Sequence, residues 1–256
     1  MRKIVLGALL FLFTLSASGQ NAKAKLTWIR HFTVERGREA DFMQYVRDFT
    51  KPMMERLAAE KKIVAWGVGF PVTMTDEPFT HIIYVGLPDW SGAEAIGSAI
   101  EAQEKNASPA DMQRMLKLES SIREGSVRDV ILRHIVQSDT APMVEPKYVV
   151  ADTYTIKPGR GNDAVALFNE WAKPMFTSDA VRAKVPMWGL STQAIPTEEH
   201  WTHMVWYFVS DLGALDTIDA AGMSVDARKM QGYEVRLRDM SDVAKQRSQI
   251  IRVMTP

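Results

Sequence analysis

The sequence predicts an α+β protein in which two βαββαβ units turn their sheets toward each other and close into one barrel wrapped by helices. Three observations carry this expectation. A repeat runs through the chain at a fixed offset of 122 residues, both copies show the same order of strand and helix patterns, and one strand, "WTHMVWYF" (201 to 208), is apolar on both of its faces.

The offset pairs "FTVERGREADF" (32 to 42) with "YTIKPGRGNDA" (154 to 164) without a gap, and Lys51-Pro52-Met53 with Lys173-Pro174-Met175. It also pairs Trp66-Gly67 with Trp188-Gly189 and Thr80-His81 with Thr202-His203. From Lys51 to Asp89, 12 of 39 positions are identical to their partners, against roughly two or three expected by chance. That excess marks a duplication.

Each copy opens on a strand, 26 to 34 or 148 to 156, followed by a turn at Gly37 or Gly159. A helix comes next, because Phe42, Tyr45, Val46, Phe49, Met53 and Leu57 recur at spacings of three and four, as do Val165, Phe168, Trp171 and Met175. Two strands follow, 64 to 74 and 79 to 87, joined by "TDEP"; 186 to 196 and 201 to 209, joined by "TEEH", match them. Asp89 and Asp211 stand where a helix N-cap belongs, since a carboxylate there accepts from free backbone amides. More helix follows, interrupted at Ala107-Ser108-Pro109 in the first copy, and the copies close on strands 127 to 136 and 249 to 254. This order is the ferredoxin-like unit, whose helices cover one sheet face and leave the other bare. Trp201, Val205 and Tyr207 alternate with Met204, Trp206 and Phe208, so that strand is buried on both sides. Two bare faces placed together give a pseudo-dimeric α/β barrel of eight strands within one chain.

The domain reading is a signal peptide over 1–19, a first repeat over 26–136, a linker over 137–146 and a second repeat over 147–256. Arg2 and Lys3, the greasy run Ile4 to Leu15 and the small residues of "SASGQ" form the leader, and that run is about half the roughly 20 residues needed to span a bilayer. The expected location is therefore periplasmic or secreted. With no cysteine, disulfides and thiolate chemistry are excluded, and stability must come from a packed core. Loss of the leader removes two of 31 basic residues and none of the 31 acidic ones, which leaves no charge excess for nucleic acid or a membrane surface.

With strand, glycine turn and long helix in "YTIKPGRGNDAVALFNEWAKPMF", and with this element order, the chain resembles the dimeric α/β-barrel superfamily. That superfamily includes antibiotic-biosynthesis-type monooxygenases, NIPSNAP-like proteins and, in tandem form, chlorite-dismutase-like haem proteins. The resemblance covers nearly the whole mature chain and implies a small, often aromatic ligand held between sheet and helices. Haem-binding members ligate iron with a helical histidine, whereas His31, His81, His134, His200 and His203 fall on expected strands or in a turn. No cofactor and no metal is therefore expected, with haem handling as the alternative. Zinc-protease, nucleophile-elbow, phosphate-loop and dinucleotide spacings are missing from the sequence, and the ends of "HWTH" (200 to 203) would face opposite sides of a strand.

The candidate catalytic residues are His81, His203 and His31. His31 falls late in the first strand and His81 early in the antiparallel third, which neighbours it in a 4-1-3-2 sheet, so the two are expected close together. Thr153 stands at the partner position of His31, so the first copy is expected to keep the polar pocket and the second to serve as scaffold. A ring in a half-apolar site can act as a general base. The same ring can equally be a satisfied core residue, bonded to a carbonyl or to the threonine beside it.

Proline inside the helical stripe removes a hydrogen bond, so a kink or break is expected at Lys51-Pro52-Met53 and Lys173-Pro174-Met175. Splaying there would open a pocket lined by Met53, Met175, Trp66 and Trp188, and Tyr84 and Trp206 complete the ligand-binding set. Beside haem handling, two further functions compete. One is an exported monomer that binds a small apolar or aromatic molecule as a cofactor-independent monooxygenase or isomerase. The other is a noncatalytic interaction module presenting charged helices such as 112 to 124.

Overall fold

The computed structural model describes residues 23–72, 79–138, 146–197 and 201–254. The expected leader, the "TDEP" turn, most of the expected linker and His200 lie outside these residues. In the first half β1 (Leu26–Phe32) leads into α1 (Glu39–Tyr45), a π-helical turn (Val46–Thr50) and α2 (Lys51–Ala59). Then come β2 (Ala65–Pro71), β3 (His81–Leu87), α3 (Trp90–Asn106), α4 (Pro109–Glu119) and β4 (Arg128–Gln137). The second half has β5 (Tyr148–Tyr154), α5 (Gly161–Leu167), another π-helical turn (Phe168–Ala172), α6 (Lys173–Thr177) and α7 (Asp179–Arg182). It continues with β6 (Met187–Gln193), β7 (His203–Val209), α8 (Ala214–Met223), α9 (Ala227–Met240) and β8 (Arg247–Met254).

The strands close into an antiparallel barrel in the order β1-β3-β2-β8-β5-β7-β6-β4. Residues 26 to 137 thus supply β4-β1-β3-β2 and residues 148 to 254 supply β8-β5-β7-β6, joined through β2 with β8 and β4 with β6. The architecture is α+β and consistent with a ferredoxin-like fold. Among the described residues, no helix is long and apolar enough to cross a membrane.

Alternation sorts the side chains into two layers. Ile29, Tyr84, Val149, Trp206 and Phe208 meet in clusters that contain no helical residue, which places them in the barrel interior. The opposite faces carry Val68, Ile83 and Val85 beneath Phe42, Val46 and Leu57, and Val150, Leu190 and Val209 beneath Phe168 and Phe176. Both faces of every central strand are therefore covered, as the doubly apolar third strand requires. Gly37 at φ 82° and Gly159 at φ 80° make the turns after β1 and β5, a conformation that costs other residues a Cβ clash.

The Trp-Gly pairs hold the layers together. Trp188 turns outward and stacks on Phe176 with centroids 5.5 Å apart, while Gly189 turns inward beneath the ring of Trp206, its neighbour in the β6–β7 register. In β2, Gly67 lies beneath Tyr84 in the same way. A Cβ at Gly189 would stand 2.6 Å from Trp206 Cζ2, and one at Gly67 2.5 Å from the Tyr84 hydroxyl. No room is left for a methyl group.

The prolines do not break their helices. Lys51 donates its amide to the Val46 carbonyl and Lys173 to the Phe168 carbonyl, five residues back in each case, so the chain widens into a π turn just before each proline. One extra residue per turn moves the proline ring clear of the carbonyl it would otherwise strike, and the helical path continues into α2 and α6. In place of the expected break, each helix carries a π bulge. Asp89 caps α3 by accepting from the Ser91 amide at 2.9 Å, but Asp211 precedes the α8 cap, which is Gly213.

Gly67→Ala and Gly189→Ala are each expected to destabilise the protein by about 1–3 kcal/mol through overpacking, read as a lowered urea midpoint with an unchanged slope. Wild-type midpoints in both would remove the interior packing described here.

Candidate functional site

Both Thr-His pairs build the same clamp. The Thr202 hydroxyl accepts from the Ile156 amide at 2.9 Å, lies 3.3 Å from the Tyr154 carbonyl and 2.9 Å from His203 Nδ1. Thr80 repeats this with the Val34 amide at 2.8 Å, the Phe32 carbonyl at 3.4 Å and His81 Nδ1 at 3.0 Å. A hydroxyl gives one proton and accepts two. Its full capacity is used when it donates to the carbonyl and accepts from Nδ1–H, an assignment that leaves Nε2 as the unprotonated nitrogen of each ring. The threonine stitches the end of the first strand to the third, and the histidine is held in one orientation.

What covers the ring differs between halves. In the first, Phe42 lies against His81 with ring centroids 4.7 Å apart, and the Glu39 carboxylate faces it electrostatically. Their partners at the 122-residue offset are Ala164 and Gly161. The two rings are equally buried, at 8% exposure, but His203 lacks the phenyl ring and carboxylate of the first half and lines open space instead, its Nε2 3.8 Å from a Cβ placed on Gly161. That space is part of a cavity of about 780 Å³ between the outer face of β5, β6 and β7 and the helices α5, α6, α8 and α9. Helix α8 has 10 residues where α3 has 17, and Met223 at its end, 79% exposed, stands at the cavity mouth.

Asp152, Tyr154, His203 and Tyr207 project from the sheet into this cavity, opposite Phe168, Trp171 and Met175 on the helices. Burial lowers the pKa of His203 and so favours its neutral, basic form. Burial also raises Asp152, whose Ser248 hydroxyl bond works in the opposite direction, and it pushes the phenols of Tyr154 and Tyr207 well above their ordinary range, helped by the nearby Asp152. The buried indole N–H of Trp171 makes no hydrogen bond.

The expected site residues are thus divided among three places. His203 and Met175 line the cavity, and Trp188 forms its backing through Phe176 and Phe168. Trp66 and Met53 pack against the first-half core, and Tyr84 and Trp206 fill the barrel interior. His31 and His81 do not come together. Phe32 is the residue opposite His81, so His31 falls on the other face of the sheet, inside the barrel against Phe79 at 4.4 Å. The polar pocket therefore belongs to the second half, contrary to the expectation drawn from Thr153. Asp152, Tyr154, Tyr207 and Trp171 went unread, although the offset pairs them with Arg30, Phe32, Val85 and Phe49 and so marks where the halves diverge.

His134 also points inward, with its ring nitrogens 2.8 Å from Thr27 Oγ1 and 2.7 Å from Ser191 Oγ and its edge toward Trp206. Among the described residues, no group of three or more His, Asp or Glu is placed to hold a metal ion.

With this geometry in view, the solved structures that the chain resembles are informative. A candidate monooxygenase from Fusobacterium nucleatum matches at 12% identity and a TM-score of 0.58 over 90% of this chain and 92% of that one. An anthrone oxidase-like protein matches at 11% and 0.53 over 91% and 93%, and chlorite dismutase from Candidatus Nitrospira defluvii in complex with imidazole at 9% and 0.52 over 91% and 92%. Such identities show a shared fold alone, the dimeric α/β-barrel arrangement of ferredoxin-like units. No protein-family model matches the chain, and no curated protein matches it in sequence.

Burial lowers His31 and His134 to about 4 each. Their folded values lie below the unfolded value near 6.5, so the unfolded chain binds more protons between these limits and stability falls as pH drops through that window. The expected loss is about 3 kcal/mol per histidine between neutral pH and pH 4, with none above pH 7. His31→Leu should remove its share, measured as a shallower fall in urea midpoint than wild type; an identical fall would contradict the burial of that ring.

Proposed function

We propose that the chain is an exported protein that holds a small apolar or aromatic molecule in the second-half cavity, with His203 Nε2 as the proton acceptor of a cofactor-independent monooxygenase or isomerase. The observation that carries this reading is the cavity of about 780 Å³, lined mostly by apolar and aromatic side chains, into which the sheet presents Asp152, Tyr154, Tyr207 and a neutral His203 held in one orientation. Removal of an acidic C–H proton by that ring leaves a substrate carbanion. Return of the proton at a different carbon is isomerisation. Reaction of the carbanion with dioxygen forms a C–O bond and, on protonation, a hydroperoxide, which breaks its O–O bond with loss of water to leave a carbonyl, one oxygen atom in the product and one in water. The candidate monooxygenase and anthrone oxidase-like neighbours are consistent with that class.

In the same reading, residues 1–19 are a cleaved leader that directs the chain to the periplasm or beyond. Two duplicated halves act as a pseudo-dimer within one monomer, the first retaining a filled core around His81 and the second opened for a ligand.

Haem fits this cavity poorly. No lysine or arginine is found among the described residues that line it, where two propionates would need cations, whereas Asp152, Asp219 and Glu234 are present. The histidine that reaches it stands on a strand rather than on a helix facing the sheet. The interaction-module reading gains no support from α4, which buries Met115 and Leu118 and pairs Arg114 with Asp48.

Ala164→Phe copies the first half's filling and is expected to weaken binding of a neutral fluorescent probe such as Nile red at least tenfold, while the melting temperature stays near wild type. Phe42→Ala should do the reverse, costing about 3–5 kcal/mol of stability with probe affinity unchanged. Undiminished binding by a folded Ala164→Phe protein would sink the assignment. Given a turned-over substrate, His203→Gln should keep binding and lose turnover about 100-fold or more.

A further inference from the structure

We propose that the ligand of this cavity carries a cationic group, seated on Asp152 between Tyr154 and Tyr207, with its apolar body lying between the helices. The inference rests on the reading of the cavity as a small-molecule site and goes beyond it by naming the ligand's charge.

The two halves treat the same point of the sheet differently. In the first, Arg30 stands opposite Asp129 across β1 and β4, and the two form a bidentate pair at 2.7 and 2.8 Å that fills this part of the outer face. In the second, Asp152 occupies the place of Arg30 at the 122-residue offset, and the residue opposite it across β5 and β8 is Ser248. The Ser248 hydroxyl donates to Asp152, and no cation is paired with Asp152 among the described residues. A half-exposed ion pair in one half is matched in the other by a carboxyl with no counter-charge among the described residues. A carboxylate withdrawn from water without a counter-charge is costly, and the raised pKa of Asp152 reflects that cost. A ligand cation supplies what Arg30 supplies for Asp129.

The surroundings favour the same charge. Asp219 and Glu234 add negative potential to the cavity, and no lysine or arginine among the described lining residues offsets it. Tyr154, Tyr207, Phe168, Phe176 and Trp171 present aromatic rings, whose negative faces attract cations. Trp171 contributes a buried, unpaired N–H, so the ligand is also expected to bear an acceptor on its apolar part.

The test is isothermal titration of the full-length mature chain at neutral pH with three probes of matched shape: naphthylmethylamine, naphthylmethanol and naphthoic acid. The amine should bind about tenfold or more tightly than the alcohol, and the acid most weakly, as a charge-assisted contact in place of a neutral one requires. Asp152→Asn should bring the amine to the alcohol's affinity. An alcohol that binds as well as the amine, or an amine preference that survives Asp152→Asn, overturns the inference while leaving the small-molecule reading in place. Failure of all three probes to bind removes both.

Discussion

Closure is the constraint on which everything else depends. Strand β2 meets β8 and β4 meets β6, so neither half leaves a free sheet edge, and each side of the combined sheet has one fixed environment, helices outside and other strands inside. A polar side chain on such a strand has only two addresses. His134 and His31 take the interior, whereas His81 and His203 take the layer under the helices. A shift of one residue would exchange them.

Within that frame the two halves keep one device and differ in what surrounds it. The threonine-histidine clamp ties the first strand to the third in both, with closely similar distances, and this accounts for the presence of Thr80-His81 and Thr202-His203 without any appeal to catalysis. Both rings are equally buried, but His81 packs against Phe42 whereas His203, with Ala164 and Gly161 at the matching positions, lines the cavity.

The order of elements was legible in the sequence because it rests on periods: 2.0 for the strands, 3.6 for the long helix, and φ-positive glycines at Gly37 and Gly159. Facing was harder to read. In "WTHMVWYF" both alternation classes are apolar, so the pattern that usually separates inside from outside carries no phase, and Trp206 was grouped with Trp188 although they face opposite layers. The π turns escaped because proline rules describe an α-helix, and a widened turn before Pro52 and Pro174 satisfies the ring at no visible cost in pattern. The cavity lay in the pairing of Phe42 with Ala164, which was in plain view. Its meaning depends on knowing that both positions sit over a histidine ring, and only the folded chain supplies that.

The shortness of α8 bears on how the interior is reached. Its 10 residues stop at Met223, which lines the cavity and is largely exposed to solvent. The cavity lies between the outer face of the sheet and the helices, so the closed barrel is no barrier to it.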